Sequence, residues 1–501
     1  GMSVLEARSE AVKFLESENK IDSIEERDQE IPVSERGGNP IEIILLKEWY
    51  VKQVGIQDRL EELVDRVRFV PERNKQLLLD WMQSISIDWP ISRRRWYHTE
   101  IPIWYSEDGE TIVVPPSGTY VRPWCESPPP GSVAINRSTR EELGKYEDLD
   151  LGELVGEGKV FDTWMDSSNS NLFVSGYGGD DANFKRAFPT ALRPQGKEIV
   201  RTWLYYTMLK SAHLLDSPAF QTVWIDGLGM DPWGRKMSKS WGNGIDADSV
   251  LDCGLGGRTG SWQIRGPDGK SVKLKANKIG SECFRLWKAA EAQVGDDFHI
   301  NPEEIESKYF GVLTKIFNVA RFASQFKSPE SMPSNLSNAD MWILSEYDRM
   351  RESSEKHWSE IDIYSATQAV KTFLTGVFPS HWMEMAKSRL YDDDPSAAWT
   401  LHAVLSGSLA ILSPVCPLFC HHLSSVLYGN STMYENEYPR SPGVSINSSD
   451  SVTKSMMQFN AEIWRTKKER NLSLKSPLED VSIPVELEDY AIDLQKMHSL
   501  V

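Results

Sequence analysis

Two kinds of sequence pattern follow one another along this chain, and their order restricts the fold more than any other feature. Between about residues 47 and 245, short apolar strands such as TVWIDGLGM (222–230) alternate with helical segments such as GKEIVRTWLYYTMLKSAHLL (196–215). Strands that alternate with helices favour a parallel, Rossmann-like sheet. Beyond residue 300, apolar residues recur instead at helical spacing. We therefore predict an α/β domain that is followed by an all-α helical bundle.

Helix-start signals mark the beginning of the predicted bundle. Asn301 is followed by a proline in the first helical turn and by Glu304 three residues on, a pattern typical of a capped helix. Ser337 and Asp340 repeat this spacing before a second long helical run. The bundle is therefore expected over residues 301–440.

The stretch GRKMSKSWGN (234–243) has a composition suited to binding phosphates. It places Lys236 and Lys239 among serines, with glycine near both ends. Glycine tolerates backbone conformations that other residues avoid, so the segment can move. The lysines carry compact charges on long stems, and Ser238 and Ser240 add hydroxyl donors. The residues alone leave two alternatives open, which are a mobile cationic clamp for a polyphosphate and a solvated turn.

The composition limits the class of protein. The chain has 501 residues and a net charge of −18, which argues against nucleic-acid binding through a uniformly basic surface but leaves local basic patches open. Five cysteines in a chain of this length point to a reducing compartment, and we predict a cytoplasmic protein.

The longest uncharged stretch, from Ser396 towards Met433, approaches the length of a membrane span. No membrane segment is predicted, because serines and prolines should break this stretch into two shorter helices: Ser406, Ser408, Ser413, Pro414 and Pro417.

Four stretches occur in an order that carries a family resemblance. They are DWPISRRRWYHTEIPIWY (88–105), DTWMDSS (162–168), RPQGKEIVRTW (193–203) and DPWGRKMSKSWGN (231–243). With a helical bundle after them, the chain resembles the class I aminoacyl-tRNA synthetases, and within them the valyl-tRNA synthetases of the archaeal type. The resemblance covers nearly the whole chain. It implies an enzyme that activates valine with ATP, with Mg2+ as part of that substrate, and transfers the valine to tRNA-Val.

The resemblance implies roles for the lysine loop and for the segment around Gly196. Lys236 and Lys239 would be catalytic, because they would stabilise the negative charge that grows on the leaving pyrophosphate. Glu198 would accept hydrogen bonds from the ribose hydroxyls, although an ordinary first-turn carboxylate is the alternative reading. The implied ATP-binding residues are Gly196, Glu198, Met237, Ser238 and Lys239.

The pocket for the amino-acid side chain is implied by the same resemblance. Trp164, Ile199 and Trp203 would form its apolar walls, with ordinary core packing as the alternative. Ile199 and Trp203 are expected to share one helix face because they are four residues apart. Isoleucyl relatives typically read DVWFDSG, with a polar residue where Ile199 stands. DTW and Ile199 therefore favour valine over isoleucine or leucine, which stay open as alternatives.

Two basic segments are candidates for contact with tRNA. Arg93, Arg94 and Arg95 resemble the family element beside the acceptor end of the tRNA, and a salt-bridged surface is the alternative. Residues 253–279 alternate around a Pro-Asp-Gly turn, which predicts a β-hairpin, and a solvated surface hairpin is again the alternative. The hairpin residues expected to contact tRNA are Arg265, Lys273 and Lys275.

No protein-bound zinc is expected. SERGGNPIE (34–42) resembles a segment that reads CxRCGxPIE in many relatives, and Ser34 and Gly37 stand in place of its thiols. Cys416 and Cys420 lie on an apolar helical pattern, and we expect them to be buried free cysteines.

The resemblance also implies a division of the chain into units. These units are residues 1–46, the exit segment of an editing insertion; 47–245, the C-terminal half of the Rossmann catalytic domain, with a peripheral excursion at 106–160; 246–300, a connecting stem-contact region with the basic hairpin; 301–440, an anticodon-binding bundle; and 441–501, a small C-terminal subdomain.

One signature of the family does not occur in this sequence. None of the nine histidines belongs to an HxGH-type motif, and the chain begins where an editing insertion would end. We therefore expect the C-terminal part of a valyl-tRNA synthetase, with the N-terminal half as its partner and no activity in isolation. A non-catalytic tRNA-binding module that derives from such an enzyme is the alternative from a different class.

Overall fold

A computed structural model describes residues 2–25, 27–28, 30–34, 37–41, 45–245, 250, 261–276, 278–429, 433, 437–444 and 449–501. The strands are β1 Tyr50–Val51, β2 Arg68–Val70, β3 Trp89–Pro90, β4 Ser92–Arg93, β5 Trp104–Tyr105, β6 Thr111–Val114, β7 Val133–Asn136, β8 Glu142–Lys145, β9 Val155–Gly156, β10 Val160–Phe161, β11 Thr190–Gly196, β12 Phe220–Asp226, β13 Gly229–Met230, β14 Ser261–Arg265, β15 Ser271–Lys275 and β16 Phe298–His299. The α-helices are Val4–Ser17, Gln57–Asp65, Lys75–Ser84, Thr163–Ser167, Ser170–Ser175, Asp181–Ala187, Tyr205–Leu215, Gly280–Glu291, Pro302–Ile305, Gly311–Ala323, Asn338–Ser359, Ile363–Thr375, Glu384–Tyr391, Pro395–Leu412, Pro417–Tyr428, Ser449–Glu469 and Ala491–His498.

A parallel sheet forms the centre of the first part of the chain. Strand β12 lies between β11 and β2, and both pairs are parallel. Parallel neighbours need a crossover connection, and the helix Tyr205–Leu215 supplies it between β11 and β12. Val223 and Ile225 of β12 are fully buried against Leu204 and its neighbours in one hydrophobic cluster. The predicted Rossmann-like parallel sheet is therefore confirmed.

A second sheet lies in the stretch between residues 104 and 156. It has five antiparallel strands in the order β8-β7-β6-β5-β9. Trp104, Val113 and Ala134 are buried in a separate small cluster. This sheet therefore has a hydrophobic core of its own.

The segment after β11 does not begin as a regular α-helix. Lys197–Ile199 is a 3-10 turn and Val200–Leu204 is a π-helical turn, and α geometry begins only at Tyr205. Ile199 therefore ends the 3-10 turn and Trp203 lies in the π turn, so the two residues do not belong to one regular α-helix as the sequence predicted.

The helices after residue 300 share one hydrophobic core, which contains Trp342, Phe378 and Leu401. The predicted caps are confirmed: the side chain of Asn301 accepts a hydrogen bond from the N–H of Glu303, and that of Ser337 from the N–H of Asp340. The predicted helical bundle is therefore confirmed.

The long uncharged stretch divides into two helices as predicted, and the break lies between Leu412 and Pro417, where Ser413 and Pro414 stand. Pro395–Leu412 is a single helix, so Ser406 and Ser408 do not interrupt it, and the next helix begins at Pro417. By length and composition Pro395–Leu412 could cross a membrane, and 67% of it is buried inside the protein. Cys416 and Cys420 are fully buried free thiols, as predicted.

The predicted hairpin is present in the part that the structure describes. Strands β14 and β15 pair antiparallel, with Arg265 opposite Ser271 and Gln263 opposite Lys273. Residues 253–260 and 277 of the predicted hairpin lie outside the described residues. Ile264 and Leu274 are buried in the bundle core, whereas Arg265, Lys273 and Lys275 are exposed. Directly opposed residues share a face, so these three cations lie on one exposed face of the ribbon.

Candidate functional site

The carboxyl ends of two parallel strands meet at one edge of the sheet. Gly196 at the end of β11 is paired with Asp226 at the end of β12. Glu198 follows the first strand, and the lysine loop (234–243) follows the second. In open α/β sheets, ligands bind in the crevice beyond the carboxyl ends of the strands. The segments that carry the predicted ribose-binding carboxylate and the predicted phosphate-binding lysines therefore both leave the sheet at the same edge.

The absence of a side chain at Gly196 leaves room for the carboxylate of Glu198. A Cβ atom added to Gly196 would lie 2.7 Å from Cδ of Glu198, which is closer than non-bonded atoms approach each other. Glu198 itself is exposed. The carboxylate is therefore positioned beside the backbone of Gly196 and open to a ligand.

A buried carboxylate holds the N-terminal end of the lysine loop. Asp231 is fully buried and accepts hydrogen bonds from the backbone N–H groups of Trp233 (3.0 Å) and Arg235 (2.9 Å). Its Oδ2 also accepts from Nε of Arg235 (2.8 Å) and Nδ2 of Asn243 (2.9 Å). Burial alone would raise the pKa of Asp231, but these hydrogen bonds outweigh it and lower that pKa. The carboxylate therefore stays ionised and joins the two ends of the loop.

Asn243 fixes the backbone between the lysines. Its Oδ1 accepts from the N–H of Ser238 at 2.9 Å, and its Nδ2 donates to the carbonyl oxygen of Lys236 at 3.1 Å. The side chains of Lys236 and Lys239 are exposed, and neither forms an ion pair with another described residue. The loop therefore presents two cations from a backbone whose ends are held in place.

Arg235 also connects the lysine loop to the hairpin. Its Nη1 donates to the carbonyl oxygen of Gly266 at 3.1 Å, and its Nη2 donates to that of Arg265 at 2.6 Å. In return, the N–H of Arg265 donates to the carbonyl oxygen of Gly242 at 3.0 Å. The basic hairpin is thus hydrogen-bonded directly to the loop that carries the lysines.

Two of the predicted pocket residues meet at one short helix, which contains the first of them and binds the second. Asp162 caps the helix Thr163–Ser167 by accepting from the N–H of Trp164 at 2.7 Å. Nε1 of Trp203 donates to the carbonyl oxygen of Ser167 in the same helix at 2.9 Å. Trp164 and Trp203 are half-buried, as is Ile199. The tertiary fold therefore brings Trp203 to the helix that carries Trp164.

Arg193 is a residue of this region that the sequence reasoning missed. It is only 4% exposed, and its guanidinium lies over the ring of Trp203 and 4.7 Å from the ring centre of Phe220. Burial lowers the pKa of Arg193 to about 9. Its Nε and Nη2 have no hydrogen-bond partner among the described residues. Arg193 is the first residue of the motif RPQGKEIVRTW, and it lies in β11, which the sequence analysis did not predict as a strand.

The three arginines after β3 differ in their surroundings. Arg93 is paired with Asp162, and Nη2 of Arg94 lies 2.8 Å from Oε1 of Glu48. Arg95 is exposed and precedes two aromatic side chains, Trp96 and Tyr97, that are 97% and 91% exposed. The salt-bridged alternative therefore describes Arg93 and Arg94, while Arg95 is open to a partner.

Comparison with known families and proteins gives concordant results. The family described as "tRNA synthetases class I (I, L, M and V)" matches residues 5–301, and the "Anticodon-binding domain of tRNA ligase" matches residues 340–483. The chain is 33% identical over 99% of its length to the valine–tRNA ligase of Aeropyrum pernix and 32% identical over 100% to that of Nanoarchaeum equitans. It spans 58% and 61%, respectively, of the lengths of these relatives.

The fold also resembles that of solved structures. The methionyl-tRNA synthetase of Mycobacterium tuberculosis in complex with methionyl-adenylate superposes with a TM-score of 0.53, at 17% identity, over 78% of this chain and 65% of that one. At this level of identity, the similarity concerns the fold alone.

Proposed function

Because the chain belongs to the class I tRNA synthetases of the isoleucine, leucine, methionine and valine group, we propose that it supplies the lysine loop, the ribose-binding segment and the tRNA-binding bundle of a valine–tRNA ligase. The single observation that carries this proposal is the convergence of Glu198 and the lysine loop at one carboxyl edge of the parallel sheet. The proposed reaction is attack of the valine carboxylate on the α-phosphate of ATP, followed by transfer of the valyl group to tRNA-Val.

The exposed ammonium groups of Lys236 and Lys239 are the proposed catalytic groups. Negative charge grows on the pyrophosphate as it leaves, and cations that are already in position stabilise this charge without reorganisation. The framework of Asp231 and Asn243 supports the assignment, since it fixes the loop backbone and leaves both ammonium groups unpaired within the described chain. The nucleotide enters as ATP with Mg2+, and Glu198 accepts hydrogen bonds from its ribose.

Valine is the proposed amino acid because the predicted pocket walls are apolar. The side chain of Ile199 is aliphatic and those of Trp164 and Trp203 are largely apolar, and the indole N–H of Trp203 already donates to the carbonyl oxygen of Ser167. Isoleucine is larger by one methylene, and such a difference is worth roughly 1–3 kcal/mol in a hydrophobic pocket. Threonine has nearly the shape of valine, so an apolar pocket cannot reject it strongly, as is known for valyl-tRNA synthetases.

We propose that the phosphates are also bound by histidines outside this chain. None of its nine histidines lies in an HxGH arrangement, and misplacement of reacting groups by an ångström costs about 100-fold in rate. Residues 1–501 alone are therefore expected to give no measurable valine-dependent ATP–pyrophosphate exchange, while they retain weak binding of tRNA.

The test is to supply a complementary segment that contains the HxGH motif and to measure exchange with valine, isoleucine and leucine in competition. Exchange that depends on valine supports the proposal. Preference for isoleucine would exclude the valine assignment. Binding of tRNA without exchange in the assembled protein would support the non-catalytic module instead.

A further inference from the structure

A concave pocket of about 330 Å³ lies between the segment that precedes β1 and the five-stranded antiparallel sheet. Its walls include three aromatic side chains, Trp49, Tyr50 and Tyr105. The rings of Trp49 and Tyr105 are stacked, with centres 6.4 Å apart and planes at 28°. Nε1 of Trp49 donates to Oη of Tyr105 at 2.9 Å. The aromatic wall is therefore fixed by both packing and hydrogen bonding.

The acidic groups of this pocket already have partners. Glu157 is 8% exposed, and its Oε2 accepts from Oη of Tyr105 at 2.6 Å and from Nε1 of Trp49 at 3.1 Å. Glu48 accepts from Ser92 at 2.5 Å and from Arg94 at 2.8 Å, and it lies 3.2 Å from Nζ of Lys159. Glu157 keeps its charge because its partners are neutral, and Glu48 is shared between Arg94 and Lys159, so the four cations that line the pocket exceed its two carboxylates.

Three cationic side chains of the pocket form no ion pair with a carboxylate of the described residues. They are Lys47, Arg137 and Arg140, which line the pocket and are exposed. The guanidinium of Arg137 lies 5.8 Å from the ring centre of Tyr105. The whole chain has a net charge of −18, so a local excess of positive charge is unusual in it. Such an excess in a concave pocket attracts anionic ligands.

Both arginines belong to one short turn between β7 and β8. Oδ1 of Asn136 accepts from the N–H groups of Ser138 at 3.0 Å and Thr139 at 2.9 Å, and the N–H of Arg140 donates to the carbonyl oxygen of Asn136 at 2.9 Å. These bonds fix the backbone from which the arginines extend. The cations are thus held by a defined turn rather than by a loose loop.

We propose that this pocket binds a phosphate ester, with the phosphate against Arg137, Arg140 and Lys47 and the attached base against the aromatic wall. Guanidinium groups bind phosphate oxygens through paired hydrogen bonds, and aromatic side chains stack on bases whatever their sequence. A volume of about 330 Å³ lies within the range of small-ligand sites. The ester is supplied either by a single-stranded RNA segment or by a free mononucleotide, and the experiment distinguishes the two sources.

The experiment measures binding of a fluorescein-labelled single-stranded RNA hexanucleotide and, separately, of fluorescein-labelled AMP to the full chain by fluorescence anisotropy, with inorganic phosphate as competitor. Arg140→Gln removes one cation of the pocket. Its matched control, Lys145→Gln, removes one exposed cation from β8 of the same sheet, outside the pocket. A charge-assisted hydrogen bond is worth enough to change affinity by about tenfold or more. We expect this loss for Arg140→Gln and less than a twofold change for Lys145→Gln.

Each outcome decides the proposal. If the hexanucleotide shows the selective loss, RNA is the source; if only AMP binding shows it, a free nucleotide is the source. Equal weakening by both variants, or no binding of any probe to the folded chain, overturns the phosphate site. The experiment needs neither valine nor ATP hydrolysis, so its result is independent of the proposed ligase function.

Discussion

The guanidinium of Arg235 binds the buried carboxylate of Asp231, with Nε 2.8 Å from Oδ2, and at the same time binds two carbonyl oxygens of the basic hairpin. One side chain thus joins the sheet edge, the lysine loop and the hairpin. If the hairpin moves when a partner binds, Arg235 would therefore transmit that movement to the backbone of the lysine loop.

We predict that Arg235→Gln loosens the lysine loop. The variant loses charge-assisted hydrogen bonds to Asp231 and to the hairpin, each worth about 1.5–3 kcal/mol. Amide hydrogen exchange over residues 236–243 should rise by about tenfold or more. Lys270→Gln at the exposed tip of the hairpin is the control, since its side chain is 84% exposed and, among the described residues, pairs only with Asp268. Unchanged exchange in Arg235→Gln would show that Asp231 and Asn243 hold the loop alone.

Lys239→Ala should lower valine-dependent exchange by about 100- to 1000-fold in the protein assembled with its complementary segment, because the variant loses a cation that we propose stabilises the leaving pyrophosphate. Lys236→Ala should act in the same direction. The Michaelis constant for valine should change little, because neither lysine lies among the proposed pocket walls. Lys270→Ala, which removes a cation of the nearby hairpin, should retain full activity; loss in this control as large as in Lys239→Ala would point to a general charge effect.

Arg389→Met should destabilise the helical bundle. Asp340 is fully buried and accepts from Nη1 and Nη2 of Arg389 at 2.7 and 2.9 Å, from Ser396 at 2.5 Å and from Trp382 at 3.1 Å. Burial alone would lower the pKa of Arg389, but the hydrogen bonds and charge of Asp340 outweigh it and raise that pKa. Removing one partner of a buried pair costs about 3–5 kcal/mol. The loss should appear in urea unfolding followed by far-ultraviolet circular dichroism.

The control for this prediction is Arg440→Met, whose ion pair with Glu437 has side chains that are 88% and 81% exposed. An exposed pair contributes between zero and about 1 kcal/mol. If the two variants unfold at the same urea concentration, the buried network does not stabilise the bundle.

Acid should destabilise the packing of the C-terminal helix. The pKa of His498 is lowered to about 4, from an ordinary value of 6.5. Burial is the largest cause, and the charges of Lys467 and His381 act in the same direction. As the pH falls from 6.5 towards 4, the unfolded chain takes up a proton that the folded chain does not, so stability falls. Between pH 6.5 and 5 this one group should remove up to about 2 kcal/mol.

The measurement is the thermal midpoint as a function of pH for the wild-type chain and for His498→Gln. Nε2 of His498 lies 2.7 Å from Oδ1 of Asn460, and a glutamine amide can donate to the same oxygen. The variant should lose a part of the acid dependence whatever its stability at neutral pH. Identical slopes in the two proteins would rule out His498 as the titrating group.

Much of the fold and of the site could be predicted from the sequence because the signals are local. Alternation of strands and helices, the capping residues Asn301 and Ser337, and the Pro-Asp-Gly turn each depend on residues within a few positions of one another. The lysine loop and Glu198 were likewise recognised from contiguous motifs. The π turn after β11 was missed, because hydrophobic spacing alone does not distinguish π from α geometry.

The sequence by itself determined the class of fold, the family and the chemical types at the candidate site. Only the tertiary structure decided which side chains meet: Arg193 over Trp203, Asp340 within a network that reaches Asp493, and Arg235 against the hairpin. Asp340 carried a predicted capping role, yet its carboxylate binds Arg389, 49 residues away in the chain. Such partners are selected by burial, since a desolvated charge or N–H group is stable only where the folded chain brings it a complement. Local patterns carry no information about that complement, because it comes from distant segments that folding brings together.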